Sequence, residues 1–456
     1  MPRKCESEHE LTFKLRKLTL VKLLNRVKSW GKIYLVGGAI RDLALGKTPK
    51  DYDFVVSDEK DIGSFEKILG RKSFVLGKKP NHAHRICSDL FTIDITILDG
   101  TIEDDLKRRD LTLNAMAYDL KDHTFVDILG GFKDLKSGIL RFPSENVILS
   151  DPLRMLKTIR HFTYLKGFSL TDEVKMAIMR HRENIKVVPG ERIKYELDLI
   201  LGSHMAYEGF VMAKELGLLY EIFPEFYTLK SFDQETNLEL KTLDHTLYGL
   251  RFLRKYNKVF KLKEKEFLCV GYALLFHDLG KPFTYTFDSN KKVVHFFGHE
   301  KVSMGLAESI MERLRFSHWE IRNVLELIKN HMWIFLLNKD TPTARATRRL
   351  IIKMGELTPS LVLLTLCDMF GTTEGRRNKV TRKIVRHLNE IMKTYREFIK
   401  EPPPKIVDGH DLLSIGYKEG PFLGEVLKEI KEKQLSSEIK TKEEALQYAR
   451  NRLLNS

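Results

Sequence analysis

The sequence predicts an α/β head followed by a long all-helical region. Three observations carry this. Residues 31–125 mix strands and helices, and from about residue 145 onward helical periodicity dominates and strand-like runs almost vanish. Within the first region, the apolar run Asp51-Tyr-Asp-Phe-Val-Val56 stands behind a glycine turn, Leu35-Val-Gly-Gly-Ala-Ile-Arg-Asp42.

Taken in order, residues 1–30 carry leucines at helical spacing and predict an amphipathic helix. Strands are expected near 33–36, 52–56, 73–76, 84–87, 91–97 and 124–128. The expected divisions are 1–125 (head), 126–200 (neck), 201–238 (helical connector), 239–400 (helical body) and 401–456 (tail). Glu401-Pro-Pro-Pro404 is the clearest break and sets off the tail.

With 456 residues and 43% hydrophobic content, the chain can fill several cores. Its net charge of +15 favours a polyanionic partner, although a lysine-rich thermophile surface is also basic. Cys5, Cys87, Cys269 and Cys367 are scattered and read as reduced thiols rather than a disulfide framework. No apolar run of about eighteen residues is evident, and Met-Pro-Arg-Lys-Cys-Glu does not resemble a signal peptide. The expectation is a cytoplasmic protein with no membrane association; its oligomeric state is left open.

Residues i and i+2 of a strand share a face, so Asp51 and Asp53 should stand side by side. Paired carboxylates hold Mg²⁺ when substrate phosphates complete the shell. Gly37 and Gly38 let the backbone approach a phosphate closely, and Arg41 and Asp42 follow in the next helix. A third acid, Asp94, interrupts the apolar run Phe91-Thr-Ile-Asp-Ile-Thr-Ile97. Three acids on two strands can share a metal pair for in-line phosphoryl transfer.

Two more segments add recognition chemistry. Arg108, Arg109 and Asp110 open an apolar segment. Asp110 suits either a helix cap or acceptance from a ribose hydroxyl, with Arg109 on phosphate oxygens. Further on, Asp151 and Pro152 start a helix whose Arg154, Lys157 and Arg160 share one face. A solvated basic face is the ordinary explanation; Asp151 with Arg154 also offers an acceptor beside a forked donor, able to read a nucleobase edge.

These segments resemble the class II tRNA nucleotidyltransferase and bacterial poly(A) polymerase family, within the DNA polymerase beta superfamily. The resemblance runs through Leu35–Asp42, Asp51–Val56, Asp104–Asp119, Asp127–Leu135, Asp151–Phe162 and Glu191–Glu196, in family order. It implies a head holding two Mg²⁺ ions on Asp51 and Asp53, with Asp94 as the third catalytic acid. It also implies nucleotide binding by Gly37, Gly38, Arg41, Arg109, Asp110 and Asn114, and a hinge over Asp127–Asp134. Asp151 and Arg154 become a protein template pairing with C or A, supported by Lys157 and Arg160. Glu191, Arg192 and Glu196 brace the neck.

Ser150 stands where an acid is common, and Lys157 where an arginine is. Lysine lacks arginine's planar fork, but the template pair remains. More telling, Asp94-Ile-Thr-Ile-Leu-Asp-Gly-Thr-Ile-Glu103 runs almost directly into Asp104, leaving no room for the family's flexible loop. A shortened loop goes with enzymes that add C residues and stop. The resemblance therefore implies CC addition to tRNA from CTP, with ATP use and full CCA addition as the alternative subtype. A poly(A) polymerase is a further alternative.

The helical region carries a second pattern: His245, His277-Asp278, His299, His331 and Asp368. It resembles the HD superfamily of metal-dependent phosphohydrolases and implies a divalent metal of unspecified identity. Lys281 would touch a substrate phosphate or lie exposed. Another functional class follows from this pattern, an RNA phosphohydrolase or cyclic phosphodiesterase whose head binds RNA. The basic residues of 376–400, and Arg345, Arg348 and Arg349, suit a phosphate-tracking surface or a solvated face. Gly409-His-Asp-Leu412 and Gly420-Pro-Phe-Leu-Gly424 resemble the tail of HD-containing family members without indicating a task.

Overall fold

A computed structural model describes residues 7–24, 31–77, 82–236, 241–337, 344–400, 406–435 and 438–454. The chain divides into two compact units, Met1–Ile200 with Glu208–Ile222, and Leu201–Tyr207 with Phe223–Ser456.

The first unit is built on a seven-stranded sheet. Its strands are β1 (Ile33–Val36), β2 (Asp51–Val56), β3 (Phe74–Leu76), β4 (Ala83–Cys87), β5 (Thr92–Ile97), β6 (Ala117–Asp119) and β7 (Phe125–Val126), in the order β3-β4-β5-β2-β1-β6-β7. Only β2 and β5 run parallel, and their register sets Asp53 opposite Asp94. On the other side, β1 places Val36 opposite Asp53, so the turn after β1 opens beside that carboxylate. Ile33, Leu35, Phe54, Val55, Ile93 and Ile95 are buried and fix the sheet in place.

Several features differ from the sequence reading, among them the short parallel pair Ile139–Leu140 and Ser169–Leu170 in the expected all-helical neck. The N-terminal segment forms two helices, Glu8–Lys17 and Thr19–Leu24, because Leu18 adopts an extended ψ; residues 25–30 lie outside the described residues. Strand β6 was not expected, since its short apolar run carries no period that separates strand from helix. The 29-residue run Ala344–Thr372 passes a length and composition test for a membrane span. It is broken by a turn of 3-10 helix at Gly355–Leu357, and 72% of its apolar window is buried inside the protein. That marks it as a core element of the second unit.

The second unit is helical apart from a hairpin that the sequence reading did not expect, Thr286–Asp288 paired with Val293–His295. The helix Thr358–Thr372 has buried residues on every side and packs closely on Thr242–Phe260. A Cβ on Gly371 would stand 2.4 Å from the carbonyl oxygen of His245 and 3.3 Å from the Cα of Gly249. Only glycine permits that approach, and the approach brings His245 and Asp368 face to face. Phe223, Phe226 and Phe276 form an aromatic cluster under the helix Glu264–Phe276. The tail helices Gly409–Ser414, Pro421–Leu435 and Lys442–Leu454 share a core around Leu412, Val426 and Ala445.

Candidate active site and metal cluster

In the first unit the acids of β2 lie at the sheet's open end. Asp51 is exposed and Asp53 half-buried, on the same strand face. Burial, together with the charges of Asp94, Asp51 and Asp110, pushes the Asp53 carboxyl up to about 6, with Arg109 opposing. Such a crowd of carboxylates fits a divalent cation. Asp94 stands opposite Asp53 in register and accepts from Arg85 in two-pronged fashion at 2.7 and 2.6 Å. Among the described residues, Asp51, Asp53 and Asp94 do not gather their ligand oxygens within 4.8 Å of one another.

Gly37 has φ +77°, and a Cβ there would stand 2.9 Å from Asp53 Oδ2 and 3.0 Å from Arg109 Nη1. The turn is therefore glycine for two reasons, its left-handed backbone and its close approach to both charged groups. Arg109 is held from behind by buried Asp105, which accepts from its Nε at 2.9 Å and from Arg108 at 2.7 Å. The helix Gly38–Ala44 carries Arg41, which donates to Asp42 at 2.9 Å and to Asn114 Oδ1 at 2.8 Å.

Asn114 in turn donates to Asp110 Oδ1 at 2.9 Å, so Arg41, Asn114 and Asp110 form one polar string. Asp110 also accepts from the Leu111 amide at 2.8 Å, but it does not cap a helix as expected: the short turn Thr112–Asn114 starts from Leu111 without a side-chain cap. Its other oxygen faces His161 Nε2 at 3.7 Å. Burial alone would raise Asp110, but His161, Asn114 and Lys157 outweigh it and hold the carboxyl well below the ordinary range. Burial pushes the His161 imidazole down to about 4; Arg160 and Arg41 add to this and Asp110 opposes it. His161 is thus neutral at pH 7.

The helix Leu153–Tyr164 presents the residues expected as a template. Asp151 and Arg154 are not paired with each other. Asp151 accepts from Arg192 at 3.1 Å, and Arg154 donates to the Val147 carbonyl at 3.1 Å. Arg160 lies 3.0 Å from the buried carboxylate of Glu196, although neither atom is aligned for a hydrogen bond. Arg192 therefore holds Asp151, just ahead of the basic helix, and Glu196 holds Arg160 within it, while Glu191 is exposed. Asp127 caps the helix Gly131–Ser137, accepting from the amides of Gly131 and Phe132 at 2.7 and 2.9 Å. Arg85 and His161 were not singled out in the sequence. The signal for Arg85 is its cross-strand place opposite Asp94; His161 had none beyond its position next to Arg160.

In the second unit all six expected ligands converge, from five helices. His245 lies within Thr242–Phe260, His277 and Asp278 end Glu264–Phe276, His299 begins His299–Arg313, His331 ends His318–Asn330, and Asp368 lies within Thr358–Thr372. Asp278 stands 2.9 Å from His245 Nε2, 3.2 Å from His277 Nε2 and 3.5 Å from His299 Nε2. His277 Nε2 is 3.4 Å from Asp368, and the Nε2 atoms of His299 and His331 are 3.1 Å apart.

Each histidine turns its Nδ1 to a backbone carbonyl: Lys241 for His245 at 3.3 Å, Leu274 for His277 at 2.8 Å, Phe296 for His299 at 2.8 Å and Ile328 for His331 at 2.7 Å. A carbonyl only accepts, so Nδ1 carries the proton and Nε2 is left to coordinate. His277 Nε2 is buried without a hydrogen-bond partner. Subsets His245-His277-Asp368 and His277-Asp278-His331 each bring ligand atoms within 4.8 Å, so the donor set fits a divalent metal.

Charge in this cluster is unevenly placed. Burial opposes protonation of His277, but Asp278 and Asp368 outweigh it and push the imidazole up to about 10. Burial and the His277 charge push His331 down to about 3. Lys281 meets Asp278 at 2.6 Å, and its side chain is mostly buried, so of the two expectations for it full exposure is excluded.

Comparison with known proteins places the chain. Family models match in three stretches: the poly A polymerase head domain at 33–99 and 83–141, the probable RNA and SrmB-binding site of polymerase A at 167–229, and the HD domain at 242–369. A CC-adding tRNA nucleotidyltransferase of Thermus thermophilus is 32% identical over 419 residues, covering 90% of this chain and 91% of the relative. The chain belongs to the tRNA nucleotidyltransferase family. Other tRNA nucleotidyltransferases similar to it include an A-adding enzyme of Deinococcus radiodurans (29% identity, 90% and 93% coverage) and a CC-adding enzyme of Synechocystis (26%, 91% and 92%). Among solved structures, a Thermotoga maritima CCA-adding enzyme complexed with tRNA matches with TM-score 0.62 and 19% identity, covering 98% of this chain and 99% of that one. At that identity the likeness concerns the fold.

Proposed function

We propose that this tRNA nucleotidyltransferase adds cytidylates to the 3′ end of tRNA from CTP and stops before the terminal adenylate. The observation that carries the subtype is the link between β5 and the helix Ile102–Lys107. It consists of Leu98, Asp99, Gly100 and Thr101, and Thr101 closes it in a reciprocal cap with Asp104. No flexible loop fits there. The similarity to the Thermus CC-adding enzyme supports the reading.

Asp51 and Asp53 would hold the Mg²⁺ ions, which supply charge compensation for an in-line displacement. The primer 3′-hydroxyl oxygen bonds to the α-phosphorus as its proton passes to solvent, the bond from that phosphorus to its bridging oxygen breaks, and pyrophosphate leaves. Arg109 and Arg41 would take the triphosphate, and each is already anchored by a neighbour, Asp105 and Asn114. Asp110 stays ionised and accepts from the ribose. Asp151 and Arg154 would pair with the base edge, and Arg192 fixes the Asp151 carboxylate. Purified protein with tRNA lacking its 3′ CCA should gain two nucleotides from CTP alone and none from ATP alone. A third nucleotide with both present overturns the stop; extension by ATP alone points to poly(A) synthesis.

The histidine cluster favours a second activity, hydrolysis of a phosphate ester. In 2′,3′-cyclic phosphate RNA, a water oxygen bonds to phosphorus, one ribose P–O bond breaks, and the released hydroxyl takes the proton. A divalent metal on His245, His277, Asp278, His299, His331 and Asp368 supplies the activation of water when bound. Opening of such a ring by an Asp53→Ala protein, sensitive to chelator, is the expected result.

A further inference from the structure

Beside the histidine cluster lies a cavity of about 430 Å³ whose walls include Glu300, Lys329, Asn330, Trp333, Arg349 and Lys353. We propose that it is a nucleotide subsite, seating a phosphate on Lys329, Arg349 and Lys353 and a base on Trp333. The function of this subsite rests on the phosphohydrolase reading above.

Adjacency comes from the chain itself. Glu300 follows the ligand His299, and its carboxylate stands 3.5 Å from His299 Nδ1. Asn330 precedes the ligand His331 and is buried, its amide donating to the Glu326 carbonyl and carboxylate at 2.7 and 2.8 Å. The turns that present two cluster ligands therefore also form the cavity wall.

Charge identifies the occupant. Arg349 and Lys353 sit four residues apart on the helix Ala344–Met354, and Lys329 joins them from the last turn of His318–Asn330. All three are exposed, and none has a carboxylate partner among the described residues. Like charges at that helical spacing repel, so an anion between them removes a standing cost. Among the described residues Glu300 is the only acid lining the cavity, against three cations. Forked guanidinium and ammonium donors together suit phosphate oxygens.

Trp333 supplies the other half. It lines the cavity and is half-buried; Lys353 Nζ covers a face of its ring, 4.9 Å from the centroid, and a base stacking there would displace that ammonium toward the phosphate. An indole face stacks any base. The volume is within the range of small-ligand sites and suits one nucleotide. That nucleotide is either free or the last residue of an RNA.

The test titrates adenosine 2′,3′-cyclic phosphate, and separately a short RNA ending in that group, into the full chain while indole emission is followed. Saturating quenching is expected, and it should vanish in Trp333→Phe. Lys329→Gln and Lys353→Gln should each weaken binding about tenfold with unchanged thermal melting. In hydrolysis of the same probes, those variants should raise KM about tenfold and leave kcat near wild type. Tighter binding of the RNA than of the mononucleotide assigns the site to RNA ends; equal binding assigns it to free nucleotides. No quenching, quenching that survives Trp333→Phe, or affinity indifferent to both lysines overturns the subsite. Lysine-dependent binding with no hydrolysis by wild-type protein in Mg²⁺, Mn²⁺ or Ni²⁺ leaves the subsite standing and overturns the phosphohydrolase reading.

Discussion

The two candidate metal sites of this chain are built on opposite plans. In the first unit, Asp51 and Asp53 sit at a strand end, one exposed and one half-buried, and their neighbour Asp94 is committed to Arg85. In the second, six ligands from five helices are buried and in mutual contact, with every imidazole oriented by a carbonyl. The contrast follows from who completes the shell. Mg²⁺ that arrives with a triphosphate needs an open pair of oxygens and room for phosphates. A metal held by nitrogen and carboxylate alone needs its cage assembled beforehand, which requires a rigid helical core.

Asp53→Ala draws the sharpest line between the plans. Transfer to tRNA should fall by about 10³-fold or more, while cyclic-phosphate hydrolysis continues unchanged. Retained extension would remove Asp53 from the chemistry. Asp278→Ala should do the reverse and also cost stability, about 3–5 kcal/mol, because Lys281 and His277 lose their buried counter-charge. Urea unfolding of the apo-protein checks this; a loss under 1 kcal/mol would mean that the cage is not prepaid in structure but assembled by the ion.

Next in size is a pH effect confined to the first unit. The folded His161 has its imidazole depressed from 6.5 to about 4. Its contribution is therefore intact above pH 6.5 and lost as pH falls toward 4, on the order of 3 kcal/mol in all. His161→Gln should flatten that part of the stability profile; an unaltered profile would show that the proton is taken up elsewhere. Smallest is Arg192→Ala. Its pair with Asp151 is partly exposed and should be worth under about 1 kcal/mol of stability. Discrimination of CTP from ATP should nevertheless loosen, measured as the ratio of kcat/KM values, and an unchanged ratio would free Asp151 from any dependence on this brace.

Much of both sites was legible in the sequence because their residues are chemically costly where they stand. Acids inside apolar strands and histidines beside aspartates in apolar helices need a reason. The short link after β5 was equally plain, since a missing stretch can be read directly. Partners were harder. Arg85 meets Asp94 only through strand register, and Arg192 reaches Asp151 across two helices; neither relation has a linear spacing. The break at Leu18 and strand β6 were missed because leucine spacing and short apolar runs do not by themselves choose a backbone conformation. The apolar reach of Ala344–Thr372 was underestimated because Gly355 and Glu356 interrupt it in the sequence while the helices on either side continue.

One detail of the histidine cage has a consequence for how it can change. His277 and His331 sit where their helices stop, and their rings donate to last-turn carbonyls, that of Leu274 and that of Ile328, the latter shared with the His331 amide. Ligation and helix termination are thus a single anatomical event. Exchanging either imidazole for a thiolate or carboxylate would unseal the terminus along with the metal, so this cage should drift in evolution by wholesale loss rather than by piecemeal ligand substitution.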